Sequence, residues 1–198
     1  MKYLLFFILV FLLNSGCHEN PSTKSNPLTI YVQPFTGLPK DQYEYVFAEL
    51  QKVYPYVVLK KSIDLPPQAY IKERNRYRAD TIIRWLRDQT PVNIVTIGLT
   101  GFDISTTKDN VKDWGVMGLG YRPGRACVAS AFRLNKEQKL QQFFKVSIHE
   151  LGHTQGLDHC EVKTCFMRDA EGRNPTNEEV DFCESCKKVL LKKGWAFQ

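Results

Sequence analysis

Methionine, tryptophan and histidine are the scarce residues of this chain, with three, three and four among 198. Long apolar runs are missing as well. The one extended run, Leu4 to Leu13, has ten residues, whereas a helix needs about 20 to cross a bilayer; a membrane-embedded domain is excluded. No internal repeat is present, which excludes solenoid and propeller architectures. A dominant charge is lacking too: 27 basic residues face 21 acidic ones, for a formal net charge of +6. The basic residues are spread through helical patterns and form no patch interleaved with aromatics, so nucleic acid is excluded as a partner. What remains is a chain with 43% hydrophobic residues, enough for the core of one ordinary domain.

The N-terminus has its own character. Met1-Lys2, the apolar run and then Asn14-Ser15-Gly16-Cys17 read as a secretory signal over residues 1–17. Ser15 and Gly16 before Cys17 resemble a bacterial lipobox, whose cysteine is acylated and becomes the mature N-terminus. The expectation is an extracytoplasmic, membrane-anchored lipoprotein, with Cys17 the lipidated residue. The alternatives are a plain secretory signal, giving a secreted protein, and an uncleaved anchor. Residues 18–27, HENPSTKSNP, are polar and proline-punctuated, as befits a flexible tether. Residues 28–198 then form the folded domain.

Within it, Leu28 to Phe35, Tyr56 to Leu59 and Asn93 to Thr100 read as strands, the last apolar enough to be central. Helical spacing of Val46, Phe47, Leu50 and Val53 lies between the first two. Pro66-Pro67 is expected to open a second helix that buries Ala79, Ile82, Ile83 and Leu86 and leaves Lys72, Arg74, Arg76, Arg78 and Arg84 solvated. Strands joined through helices imply right-handed crossovers and parallel pairing. Asp103, at a strand end, is expected to cap a turn. Gly115 to Arg122 and Cys127 to Leu134 read as a hairpin whose glycine-rich member suits a sheet edge, and Cys127 as a buried hydrophobe. Glu137 to Gln155 reads as a helix. Pro175-Thr176 with Glu179 resembles a capping box opening a last helix that ends at Gly194.

Three of the four histidines cluster in His149 to Cys160, HELGHTQGLDHC. On a helix His149 and His153 lie one turn apart on one face, able to point two ring nitrogens at one zinc, with Glu150 beside the open position. Were the helix continuous, His159 would sit about 15 Å from His149 along the axis, so the chain must turn, and Gly156 can supply that turn. Three protein ligands leave a position for water, whose pKa zinc lowers to about 7. Glu150 is placed to take its proton as general base in peptide-bond hydrolysis. A competing reading from another class is a non-catalytic zinc-binding or peptide-binding scaffold lipoprotein.

Cys160, Cys165, Cys183 and Cys186 form a second constellation within 27 residues. Spaced by three on one helix, Cys183 and Cys186 face one way, and the four can make a tetrahedral structural zinc site. An oxidising compartment offers disulfides as the alternative.

The run HExxHxxGxxH followed at once by cysteine, then Cys165-Phe166-Met167 and Cys183-Glu184-Ser185-Cys186, resembles the archaemetzincins, a branch of the metzincin zinc proteases. The resemblance spans roughly Leu28 to Trp195. It implies an α/β (α+β) fold: a mixed twisted sheet of about five strands with flanking helices, an active-site helix and a small C-terminal helical subdomain. It further implies a catalytic zinc on His149, His153 and His159, Glu150 as general base and Met167 as the Met-turn methionine beneath the metal. A structural zinc on the four cysteines makes two ions per chain. The substrate implied is a peptide or protein.

Overall fold

The computed structural model describes residues 27–170 and 172–198. The expected signal peptide, the lipidation site Cys17 and nearly all of the tether lie outside the described residues. Among those described, no helix is long and apolar enough to cross a membrane.

The elements follow in the order β1 Thr29–Pro34, α1 Lys40–Val53, β2 Val57–Leu59, β3 Tyr70–Ile71, β4 Arg76–Arg78, α2 Ala79–Gln89, β5 Ile94–Thr100, β6 Ile104–Lys108, β7 Val111–Val116, β8 Gly118–Gly120, β9 Ala126–Ser130, α3 Lys139–Thr154 and α4 Glu184–Lys192. A five-stranded sheet runs β2-β1-β5-β9-β8. Its first four strands are parallel, and β8 pairs antiparallel with β9 at the edge. The continuous apolar run IVTIGLT makes β5 the central strand, because both of its faces must be covered. Alternation along β9 shows how: Cys127 and Ala129 join a core with α1 and α3, while Ala126 and Val128 join a second core with α2. The glycine at position 98 is required by that second core, since a Cβ there would lie 2.7 Å from the Phe35 ring and 2.8 Å from Leu86. The C-terminal segment is welded to the first core: Leu190 and Trp195 are buried in it, and Trp195 stacks on Tyr54 with ring centroids 4.5 Å apart.

Four departures from the sequence expectations bear on function. The helix expected from Pro66 begins only at Ala79; residues 67–78 instead form two short 3₁₀ turns and the strands β3 and β4. Asn75 breaks the helical path with φ at +49°, and Arg76 and Arg78 are tied down instead of solvated. Arg76 pairs with Asp103 and Asp113, and Arg78 with Asp80. Second, these strands belong to a sheet that the sequence reading lacks altogether, of order β3-β4-β6-β7, which packs Ile104, Tyr77 and Val116 against the α2 core. Third, the expected strand Gly115 to Arg122 is divided: Gly115 pairs with Ser105 in the small sheet, and Gly118 pairs with Ala129 in the large one. Only Met117 separates β7 from β8, so the two sheets share one running edge. Last, Thr176 and Glu179 cap no helix; they lie in a turn, and α4 starts at Glu184 with Cys183 as its N-cap. Gly194 does take the left-handed conformation after α4, with φ at +82°.

Candidate active site and metal centres

Helix α3 runs beneath β8 and β9, and its final turns are buried almost all round. It ends as a Schellman motif, in which Gly156 has φ at +91°, its N–H donates to the His153 carbonyl at 2.9 Å, and Leu157 N–H donates to the Gly152 carbonyl at 3.1 Å. That reversal returns His159 to its partners. The ring centroids of His149, His153 and His159 lie 4.6, 4.9 and 5.4 Å apart, and one ligand nitrogen from each falls within 4.8 Å of the others.

The protonation pattern suits a metal. His149 Nδ1 is 2.7 Å from the Phe166 carbonyl and His153 Nδ1 is 2.9 Å from the Leu157 carbonyl. A carbonyl can only accept, so both Nδ1 atoms carry the proton and both Nε2 atoms keep a lone pair. His159 Nδ1 lies 3.3 Å from the Asp169 carboxylate, which favours the same tautomer. Burial holds the His149 ring down to about 3, with the His153 ring adding to the shift, and burial lowers His153 as well. Both are therefore neutral donors at neutral pH.

Glu150 is buried on α3 and its carboxyl is pushed up to about 8 by that burial. Its position explains two glycines. A Cβ at Gly118 would lie 2.5 Å from Glu150 Oε1, and one at Gly120 would lie 2.7 Å from the Glu150 backbone oxygen. The sequence reading took these glycines only as marks of an edge strand. Their spacing of two, which puts both on one face of β8, was the signal that a helix approaches there. Gly152 has a similar origin, because a Cβ there would meet the Met167 sulfur at 2.3 Å. Met167 is fully buried beneath α3. Asp169, Gly118, Gly120 and Gly152 are the site residues that the sequence analysis did not identify.

The four cysteines converge as a second cluster. Cys160 and Cys183 sulfurs are 3.7 Å apart and those of Cys165 and Cys186 are 3.8 Å apart, with all four within 4.8 Å of one another. A disulfide has its sulfurs about 2.05 Å apart. Zinc–sulfur bonds of about 2.3 Å in a tetrahedron put the sulfurs about 3.8 Å apart, which matches. The backbone N–H groups of Met167 and Cys183 point at Cys165 Sγ from 3.4 and 3.3 Å, as suits a sulfur bearing negative charge.

The three rings and Glu150 open on a cleft of about 780 Å³. The edge strand β8 forms one wall, the hairpin of β6 and β7 extends it, and residues 168–170, 172–176 and 179 form the other side. This arrangement can bind an extended chain along an unpaired strand edge, polarise a carbonyl at a metal and move a proton at Glu150.

Comparison with known proteins agrees with the geometry. The sequence profile of Peptidase family M54 matches residues 40–193. The archaemetzincin of Halobacterium salinarum is 30% identical over 182 residues, covering 83% of this chain and all of the relative. Among solved structures, the archaemetzincin of Methanopyrus kandleri superposes with a TM-score of 0.73 at 27% identity, covering 87% of this chain and 98% of the other. That of Archaeoglobus fulgidus, complexed with malonate, gives 0.70 at 29% identity, covering 81% and 99%. With its sequence and its fold matched over most of its length, this chain belongs to Peptidase family M54, the archaemetzincins, and is a zinc metallopeptidase.

Proposed function

We propose that the chain is an extracytoplasmic, lipid-anchored peptidase that holds two zinc ions and uses Glu150 as its general base. The observation that carries the catalytic part is the placement of Glu150, a buried carboxyl on the helix that bears two of the histidines, lining the cleft beside them. His149, His153 and His159 would hold the catalytic ion. Zinc bound there supplies Lewis acidity for a substrate carbonyl and lowers the pKa of a bound water to about 7. Glu150 accepts that proton on its carboxylate as the carbonyl is attacked, then returns it to the departing amine. Burial raises the proton affinity of Glu150, and a cation held by the adjacent histidines would lower it again, leaving the carboxylate ionised for the first transfer and the acid available for the second. The peptide lies extended along β8, pairing with its outward backbone groups, and Gly118 and Gly120 let α3 come close enough to reach it. Met167, packed against Gly152 just before His153, would form the floor of the histidine site.

The four cysteines would hold the second ion, in keeping with their sulfur spacing and the two N–H groups on Cys165. Glu150→Gln removes the base while leaving every donor to metal in place. Metal analysis of that variant should find two zincs per chain with turnover reduced by about two to four orders of magnitude; undiminished hydrolysis of a peptide library would remove Glu150 from the role.

The anchor reading is supported by Leu4 to Leu13 and by Ser15-Gly16-Cys17. Mass spectrometry of the N-terminal peptide from the membrane fraction should find Cys17 acylated, and Cys17→Ser should release the chain from membranes. A Cys17→Ser chain that stays membrane-bound would contradict lipidation as the anchor.

A further inference from the structure

We propose that Arg133 is a specificity-determining residue that receives a carboxylate of the substrate; this rests on the reading of the cleft as the peptide-binding site. Arg133 follows β9 and lines the cleft. Its Nε and Nη2 donate to the two oxygens of Asp103 at 2.7 and 2.9 Å, a bidentate pairing that fixes the plane of the guanidinium. Asp103 is buried and is itself held by Arg76 at 3.0 Å. The remaining nitrogen of Arg133, Nη1, has no hydrogen-bond partner among the described residues, and the side chain is about a third exposed, at 35%. One edge of the guanidinium is anchored on Asp103, and the side chain lines the cleft with Nη1 left to pair.

The backbone makes room for this arrangement. A Cβ at position 115 would lie 2.1 Å from Arg133 Nη2 and 2.8 Å from Nη1, so the glycine there lets the guanidinium rest on strand β7. Gly115 stands three positions before Gly118, the residue that touches the Glu150 carboxylate. At about 3.3 Å per strand residue, Arg133 lies no more than about three extended residues from the bond being cut. An amino acid near the scissile bond can therefore reach it.

Charge points the same way. The network behind Arg133 joins three guanidiniums, those of Arg74, Arg76 and Arg133, to two carboxylates, those of Asp103 and Asp113. One positive charge is left over, and Arg133 is the member that lines the cleft. The acids on the opposite side of the cleft are set against other groups, Asp169 beside His159 and Glu179 against Lys145 and Arg168, and neither is paired with Arg133. A free guanidinium nitrogen in a partly desolvated cleft binds a carboxylate by a charge-assisted hydrogen bond. That carboxylate is either a Glu or Asp side chain or the C-terminus of the substrate.

The test uses the zinc-loaded full chain and acetylated neutral peptides carrying one Glu, moved through the positions within three residues of the cut. Each has a Gln counterpart, and a further pair differs only in a C-terminal acid or amide. One acidic member should exceed its neutral counterpart in kcat/KM by about tenfold or more. Whether a Glu peptide or the C-terminal acid shows this ratio identifies the source of the carboxylate. In Arg133→Gln the ratio should fall to near unity, and in Arg133→Glu it should favour a Lys counterpart. Arg76 still pairs Asp103 in these variants, and Arg133→Lys, which keeps the cation, should retain the fold and part of the preference. No preference in the unsubstituted chain, or an unchanged ratio in Arg133→Gln, overturns the proposal. If no peptide is hydrolysed, the peptidase reading fails instead, and calorimetric binding of the same peptides to Glu150→Gln still decides the role of Arg133. There, equal affinity for acidic and neutral members overturns it, and a preference lost in the double variant with Arg133→Gln supports it.

Discussion

At the scale of single residues, the clustered histidines and cysteines were legible as candidate metal ligands because that chemistry demands fixed types at fixed spacings. His149, His153 and His159 could be read as one group, and Gly156 as the turn that unites them, from helix geometry alone. What surrounds them was less legible, since a glycine in a strand says only that something comes close and does not name it. Gly118 shows the difference. Its Cβ position lies 2.5 Å from Glu150 Oε1 and 2.6 Å from Glu150 Cγ, so any side chain there must displace the Glu150 carboxyl. Gly118→Ala should keep its metals and fold, because the backbone at 118 needs no left-handed conformation, yet lose about a hundredfold in kcat, the usual penalty for a catalytic group moved by about an ångström. Gly101→Ala is the control, with nothing nearer than 3.7 Å to the added carbon. Paired measurements of kcat and zinc content test this; full turnover in Gly118→Ala would show that the carboxylate acts from another position.

At the scale of elements, the strands and helices with strong periodicity stand where the sequence places them, as β1, α1, β5 and α3 do. Residues 67–78 differ because their conformation is set by distant partners. Tyr77 pairs with Ile104 in a sheet, and Arg76 closes on Asp103 and Asp113; local propensity carries no record of either. The segment from Gly156 to Cys186 is the reverse case, since its landmarks were readable and their coupling was not. Cys160 N–H donates to the Met167 carbonyl at 2.7 Å, the Phe166 carbonyl orients His149, and Met167 packs on Gly152. The loop that carries the cysteines thus also supports two faces of the histidine site. Cys160→Ser should therefore lower kcat/KM about 10- to 100-fold, as loss of support behind a metal ligand does, although no histidine is touched. Faster proteolysis between residues 156 and 183 should accompany it, readable by limited digestion. A fully active Cys160→Ser chain with a single zinc would refute the coupling.

At the scale of the whole molecule, alternation of strands and helices pointed to the parallel pairing of β1, β2 and β5 and the family resemblance implied a sheet of about five strands, as found, while the small sheet escaped because its strands are short, polar and assembled from separated segments. That small sheet nevertheless builds the far wall of the cleft, where Thr106, Lys108 and Trp114 continue the edge begun by β8. The two candidate metal clusters sit differently in this architecture. The histidine site opens on the cleft, and the His159 side chain is 46% exposed. The cysteine site lies deeper, with Cys165 fully buried and Cys186 nearly so, in the same core as Leu190 and Trp195. A chelator should reach them in that order. The first zinc to leave should abolish hydrolysis with a modest change in Tm, because α3 is held by its own core contacts. The second should lower Tm steeply, because four thiols would then lose the ion that joins Cys160 and Cys165 to α4, and binding energy at a structural zinc is folding energy. Following zinc release, activity and thermal unfolding through one titration distinguishes this order from its alternatives. Simultaneous release, or a fall in Tm that precedes loss of activity, would mean that the cysteine cluster is the more accessible centre and does not hold the C-terminal segment to the core.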